Sequence, residues 1–170
     1  GRFIEEKGIR DLIKAFKNLD IDSVLIFIGD GPEKLYLEKV QKEINKKIII
    51  LSPQNRKNLV KYYNIMDVLV LPSRTTEFWK EQYGRVLIEA MASGVSVVGS
   101  SSGAIPEVIG DVGSIFTEGD IDNLKRLIEY EFNNKTKEKI KKLKERAKMG
   151  SDDYFVRGIM DFIKNTQNES

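Results

Sequence analysis

Residues 81–94, Glu81-Gln82-Tyr83-Gly84-Arg85-Val86-Leu87-Ile88-Glu89-Ala90-Met91-Ala92-Ser93-Gly94, pass from loop into helix, and the apolar run Val95-Ser96-Val97-Val98 follows at once. Helical periodicity starts at about Gly84, with Val86, Leu87, Ala90 and Met91 on one stripe. Arg85 and Glu89 are four apart and share the opposite face. Gly94 stands where a helix-ending glycine belongs. Upstream, the run Val68 to Leu71 closes with Pro72-Ser73. The order is therefore strand, long loop, buried helix, strand. Val24 to Ile28 and Ile48 to Leu51 are further continuous apolar runs, each followed by a helical pattern. This alternation predicts an α/β fold, doubly wound, with a mainly parallel sheet and helices on both faces. Ligands in such sheets bind at the carboxyl ends of strands. A helix starting there offers free backbone N–H groups to an anion. Glu81 lies on the loop beside those groups, and Glu89 more than a turn down the helix. A carboxylate near an anion site is suited to accept hydrogen bonds from hydroxyls, as sugars and riboses present them.

The chain has 170 residues, enough for one domain with a sizeable core. Its 41% hydrophobic and 32% charged content is that of a soluble globular protein. A net charge of +2 makes no case for nucleic acid, and none is expected as a partner. There is no Cys, hence no disulfide, thiol nucleophile or thiolate metal site. There is also no His, the commonest general base at neutral pH. No apolar run approaches the ~20 residues that span a bilayer, and a cytoplasmic location is the default expectation.

The segment EQYGRVLIE resembles the donor-binding signature of the retaining glycosyltransferases of the GT-B fold, family four, in which two Glu are separated by seven residues. The flanks match as well: Pro72-Ser73 upstream, Glu89-Ala90-Met91-Ala92-Ser93-Gly94, then Gly103-Ala104-Ile105-Pro106-Glu107. The resemblance runs from Gly1-Arg2 to the last helix. It implies a Rossmann-like domain, residues 1–170, forming the C-terminal, donor-binding half of a GT-B enzyme. It also implies an acceptor-binding N-terminal domain, and a strand leading into Gly1-Arg2, that are not among these residues. The ligand implied is a nucleotide-diphospho-sugar, linked to UDP, GDP or ADP. A sugar, lipid or protein acceptor would be met through the other domain, and no metal or other cofactor is expected.

The resemblance also assigns residues. Glu89 would accept hydrogen bonds from ribose hydroxyls, and Glu81 would contact the donor sugar near its reacting carbon. Backbone N–H groups around Tyr83, Gly84, Arg85 and Val86 would hold the sugar and phosphate side. Arg2 and Lys7 would bind the diphosphate and stabilise charge building on the leaving group. From the residues alone, Arg2 and Lys7 read rather as two solvated cations beside Glu5 and Glu6. Similarly, Glu81 has a bland alternative in a pair with Lys80, and Glu89 in a helix pair with Arg85.

Other segments carry weaker signals. Gly29 and Gly31, in Gly29-Asp30-Gly31-Pro32, either approach the nucleotide or make an ordinary strand-to-helix turn. Ser52-Pro53 falls where family members pass near the nucleobase, but lacks the usual glycine, which leaves the base open. Asp67 is expected to cap or pin the turn before its strand. The long loop Ser73 to Tyr83, with Trp79, reads as a lid, an acceptor-side wall or a surface elaboration. Ser101 stands where an Asp is common, and the small residues around it permit close backbone approach near phosphate. Thr136 to Lys148 is a Lys-rich helix on an Ile140, Leu143, Ala147 stripe, which leaves a weak peripheral contact with the inner face of a membrane open. A final helix is expected over Tyr154 to Ile163, with Asn165 to Ser170 frayed. Two rival functions are a nucleotide-sugar epimerase of the same fold and a non-catalytic nucleotide-sugar-binding or assembly module.

Overall fold

The computed structural model describes residues 1–150; the helix expected over Tyr154 to Ile163 and the tail after it lie outside them. A short 3-10 turn, Glu5–Lys7, leads into α1, Ile9–Lys17. Then follow β1 (Leu25–Ile28), α2 (Lys34–Glu43), β2 (Ile48–Leu51), α3 (Arg56–Tyr63) and β3 (Val68–Leu71). The second half runs α4 (Arg85–Ala92), β4 (Ser96–Ser100), α5 (Ile105–Ile109), β5 (Ser114–Phe116), α6 (Ile121–Asn133) and α7 (Lys137–Met149).

Every strand pair is parallel. β1 pairs with β2, while β4 pairs with β3 on one side and β5 on the other. Hydrogen bonding thus divides the described strands into two groups, β1-β2 and β3-β4-β5. Residues 1–3 run parallel along the end of β1, where Arg2 bridges Asp30 and the Phe3 N–H donates to the Asp30 carbonyl at 2.7 Å.

Strand periodicity sorts the side chains into two cores on opposite faces. Val98 joins the α1 and α6 side with Phe116, Val68 and Val70, while Val97 joins the α4, α5 and α7 side with Leu69 and Leu71. The apolar stripe of α1, Ile9, Leu12, Ile13 and Phe16, is buried throughout, as is Leu19 just beyond the helix. In α4, Leu87, Ala90 and Met91 are fully covered, and the helix packs against α7 through Leu143 and Ala147. Gly94 follows the α4 cap with φ 78°, as the sequence predicts. Side-chain caps come from Asn55 for α3, Asp120 for α6 and Thr136 for α7.

One expectation changes. Asp67 caps no turn; it is exposed and paired with Lys135 at 3.7 Å, because the start of β3 lies beside the α6–α7 connection. The basic face of α7 is largely matched from within. Lys139 pairs with the buried Glu131, Lys142 with Glu138 and Lys141 with Glu145, while Arg146 donates to the carbonyls of Glu107 and Val108. Among the described residues no helix is long and apolar enough to cross a membrane.

The loops at the carboxyl ends of β3, β4 and β5 are tied to each other and to α1. Gly8, with φ 64°, lies so close to Pro72 that an added Cβ would fall 1.8 Å from its carbonyl oxygen. The buried Asp11 accepts two hydrogen bonds from Arg74, at 2.5 and 2.9 Å. Arg74→Met would strand that carboxylate, so a loss of about 1–3 kcal/mol is expected in urea unfolding. Pairing it with Asp11→Asn should recover part of the loss. Strict additivity of the two substitutions would contradict the coupling.

Candidate functional site

Lys7 ends the 3-10 turn before α1, and Glu81 lies in the loop between β3 and α4. The fold brings them together across 74 positions of sequence. The Lys7 ammonium donates to Glu81 Oε2 at 2.5 Å, and the Ser73 hydroxyl donates to the same oxygen at 3.0 Å. The two side chains of the ion pair are only 22% and 12% exposed, so water screens them weakly. The Lys7 ammonium also sits 5.1 Å from the centre of the Trp79 ring, within cation–π range. The bland alternatives therefore do not hold here: Glu81 pairs with Lys7 and not Lys80, and Lys7 turns to Glu81 instead of Glu5 or Glu6.

The backbone of Glu81 is held as firmly. Its carbonyl accepts from the Ala104 N–H at 2.9 Å. Gly103, at φ 53°, leaves room for it, since a Cβ there would lie 2.0 Å from the Glu81 oxygen. The small residues after β4 thus serve close approach to Glu81, a contact that sequence reasoning did not identify. Its signal is Gly103, one of the small residues around Ser101 expected to permit close backbone approach. Further out, the Ser100 hydroxyl donates to the Ser73 carbonyl, and the Thr75 hydroxyl meets Ser102 at 3.0 Å and donates to Glu118 at 2.8 Å. The Glu118 N–H in turn donates to Ser101 Oγ.

Helix α4 opens at Gly84, which has φ 65° and provides no side-chain cap. Arg85 begins the helix, Val86 is half-buried, and the Leu87 N–H returns to the Gly84 carbonyl at 2.8 Å. The Tyr83 hydroxyl donates to the Gly150 carbonyl at 2.9 Å. Glu89 does not pair with Arg85. Its Oε2 accepts from the Tyr63 hydroxyl at 2.8 Å, a residue at the end of α3. Burial first, and then the Glu89 carboxylate, push the Tyr63 hydroxyl well above the usual phenol range, so it stays a donor.

Other candidates are arranged differently. Arg2 is exposed and its guanidinium takes no ion pair among the described residues; the structure records no contact between Arg2 and Lys7. Gly29 and Gly31 have a close neighbour already. A Cβ at Gly29 would lie 1.7 Å from the Gly1 carbonyl oxygen, and one at Gly31 2.5 Å from that of Phe3. Their freedom from a side chain is used where residues 1–3 cross. Ser52 and Pro53 are exposed after β2, and Gln54 donates to the Ser52 carbonyl. The structure thus joins Lys7, Ser73, Trp79 and Glu81 in one cluster, links Glu89 to Tyr63, and leaves Arg2, Ser52 and Pro53 outside both.

Comparison with known proteins follows the same outline. The family model of glycosyl transferases group 1 matches residues 1–150. The N-acetyl-alpha-D-glucosaminyl L-malate synthase of Bacillus anthracis is 34% identical over 122 residues, which is 69% of this chain and 31% of that protein. The chain thus spans about a third of the length of the curated relatives it matches. Among solved structures, the sucrose-phosphate synthase of Thermosynechococcus elongatus superposes with a TM-score of 0.79 at 22% identity, over 100% of this chain and 45% of that one. An Anabaena protein solved in complex with UDP-glucose gives 0.75 at 21% identity, over 100% of this chain and 47% of that one. At these identities the superpositions establish a shared fold, that of the Rossmann-like domains of GT-B glycosyltransferases. The family match over residues 1–150 makes this chain a member of the glycosyl transferases group 1 family.

Proposed function

We propose that this chain is the donor-binding half of a retaining glycosyltransferase and binds a nucleotide-diphospho-sugar at the carboxyl ends of its strands. The observation that carries this is the pair of fixed carboxylates, Glu81 and Glu89, on either side of the α4 start, with the Lys7 ammonium on Glu81. Two carboxylates suit hydroxyl-rich ligand parts, and a cation beside a helix N-terminus suits the diphosphate between them. Support also comes from the relatives: one is named N-acetyl-alpha-D-glucosaminyl L-malate synthase, and a neighbour of the same fold was solved with UDP-glucose.

In this proposal Glu89 takes the ribose hydroxyls and Glu81 the hydroxyls of the donor sugar. The N–H groups around Tyr83, Gly84, Arg85 and Val86 face the sugar and phosphate side. Lys7, with Arg2 swinging in from its exposed position, offsets charge on the diphosphate as the bond from the anomeric carbon to the phosphate oxygen breaks. The acceptor oxygen forms its new bond on the same face of the sugar, and its proton passes to the departing phosphate. No general base of this chain is required, and no resident metal is assigned. The acceptor, whether sugar, lipid or protein, belongs to a preceding domain, so the chain by itself is expected to bind donor without turning it over.

Ligand-observed NMR against UDP-glucose, UDP-N-acetylglucosamine, GDP-mannose and ADP-glucose tests this. Selective binding of one is expected, weakened about tenfold or more by Glu89→Ala. Unchanged affinity in that variant would remove the ribose assignment, and binding of none by the chain and by a two-domain protein carrying it would favour a silent assembly module. Lys7→Met is expected to weaken the matching nucleoside diphosphate by roughly tenfold while leaving the nucleoside unaffected. Adding EDTA is expected to leave donor affinity unchanged; a loss restored by a divalent cation would contradict metal-free binding.

A further inference from the structure

Tyr63 has one feature its packing does not require. Its ring belongs to the core on the α4 side, together with Leu71, Leu87 and Met91, and only 6% of the residue is exposed. A phenylalanine would fill that space without an oxygen to satisfy. Burying a hydroxyl costs free energy unless it finds a partner, and here the partner is the Glu89 carboxylate at 2.8 Å. The donor comes from α3 and the acceptor from α4, 26 positions apart in sequence, so neither helix alone fixes the contact.

The bond decides where the carboxylate points. On an isolated helix, Glu89 would pair with Arg85 one turn back. In the structure Oε2 is turned onto Tyr63 instead, while Oε1 accepts no hydrogen bond among the described residues. Because the ring is locked by packing, the hydroxyl is a fixed post. It removes freedom from a side chain with three rotatable bonds, and it leaves one carboxylate oxygen with both its lone pairs available.

We propose that Tyr63 is a positioning residue: by holding Glu89 Oε2 it presents Oε1 to the vicinal hydroxyls of the ribose, and so sets the preference for ribonucleotides over their deoxy counterparts. This rests on the donor-site assignment of Glu89 given above. A tyrosine that merely packs would affect all ligands alike, whereas a positioning tyrosine acts only through the hydroxyls that Glu89 receives.

Calorimetric titration separates these cases. UDP, GDP and ADP, each beside its 2′,3′-dideoxy analogue, are titrated into the wild-type chain, Tyr63→Phe and Glu89→Gln. Urea midpoints are recorded in parallel, so that binding is compared only between cooperatively folded proteins. The wild type is expected to favour the ribonucleotide. Tyr63→Phe should lower that preference about fivefold, the equivalent of one net hydrogen bond, with the dideoxy affinity unchanged. An unaltered preference in Tyr63→Phe, or equal weakening of both ligands, overturns the positioning role. If Glu89→Gln lowers the preference and Tyr63→Phe does not, only the role of Tyr63 falls. If neither variant changes it, or if no diphosphate binds, the donor-site assignment of Glu89 falls first and takes this one with it.

Discussion

Every strand pair in the described residues is parallel, and that constraint governs the rest. Parallel strands deliver their outgoing loops to one edge, where backbone and side-chain polar groups gather without a sheet partner. These groups satisfy each other: Ser100 with Ser73, Thr75 with Ser102 and Glu118, Arg74 with Asp11, Ala104 with Glu81. The loop from Ser73 to Tyr83 is anchored at both ends by this network. It presents Glu81 and Trp79 from a fixed base, which is how a loop between rigid elements comes to carry a site.

Glu81 illustrates the degree of fixation. Its carbonyl, and one carboxylate oxygen twice over, are engaged by Ala104, Lys7 and Ser73. Removing any one of these partners would leave a charged or polar group in a place with little water. In the proposed function a donor diphosphate would share Lys7 with Glu81, and the ion pair holds that cation in position beforehand, between the carboxylate and the place proposed for the phosphate.

Much of the fold was legible because it rests on periodicity. The buried face of α4 and Gly94 after its cap follow from local pattern alone, and the structure has both. What sequence could not give were contacts between distant positions. Nothing in the spacing of Tyr63 and Glu89 announces a hydrogen bond, because the two lie on separate helices 26 positions apart. The Lys7–Glu81 pair is hidden for the same reason; both residues stood out, but as separate candidates. Gly29 and Gly31 show the opposite difficulty. A glycine signals close approach without naming what approaches, and there the neighbour is the chain's own start. Asp67 read as a cap because local rules favour that role, whereas Lys135, far along the chain, takes it instead.

Trp79 is the single tryptophan of the chain and lies over the Lys7 ammonium, so its fluorescence reports directly on the point where a diphosphate would enter. Titration of the chain with inorganic pyrophosphate and with UDP, GDP and ADP should change the emission saturably. The corresponding nucleosides should leave it unchanged, and Lys7→Met should abolish the response. A nucleotide that binds by calorimetry while Trp79 emission stays constant would contradict the placement of the diphosphate beside Lys7 and Glu81.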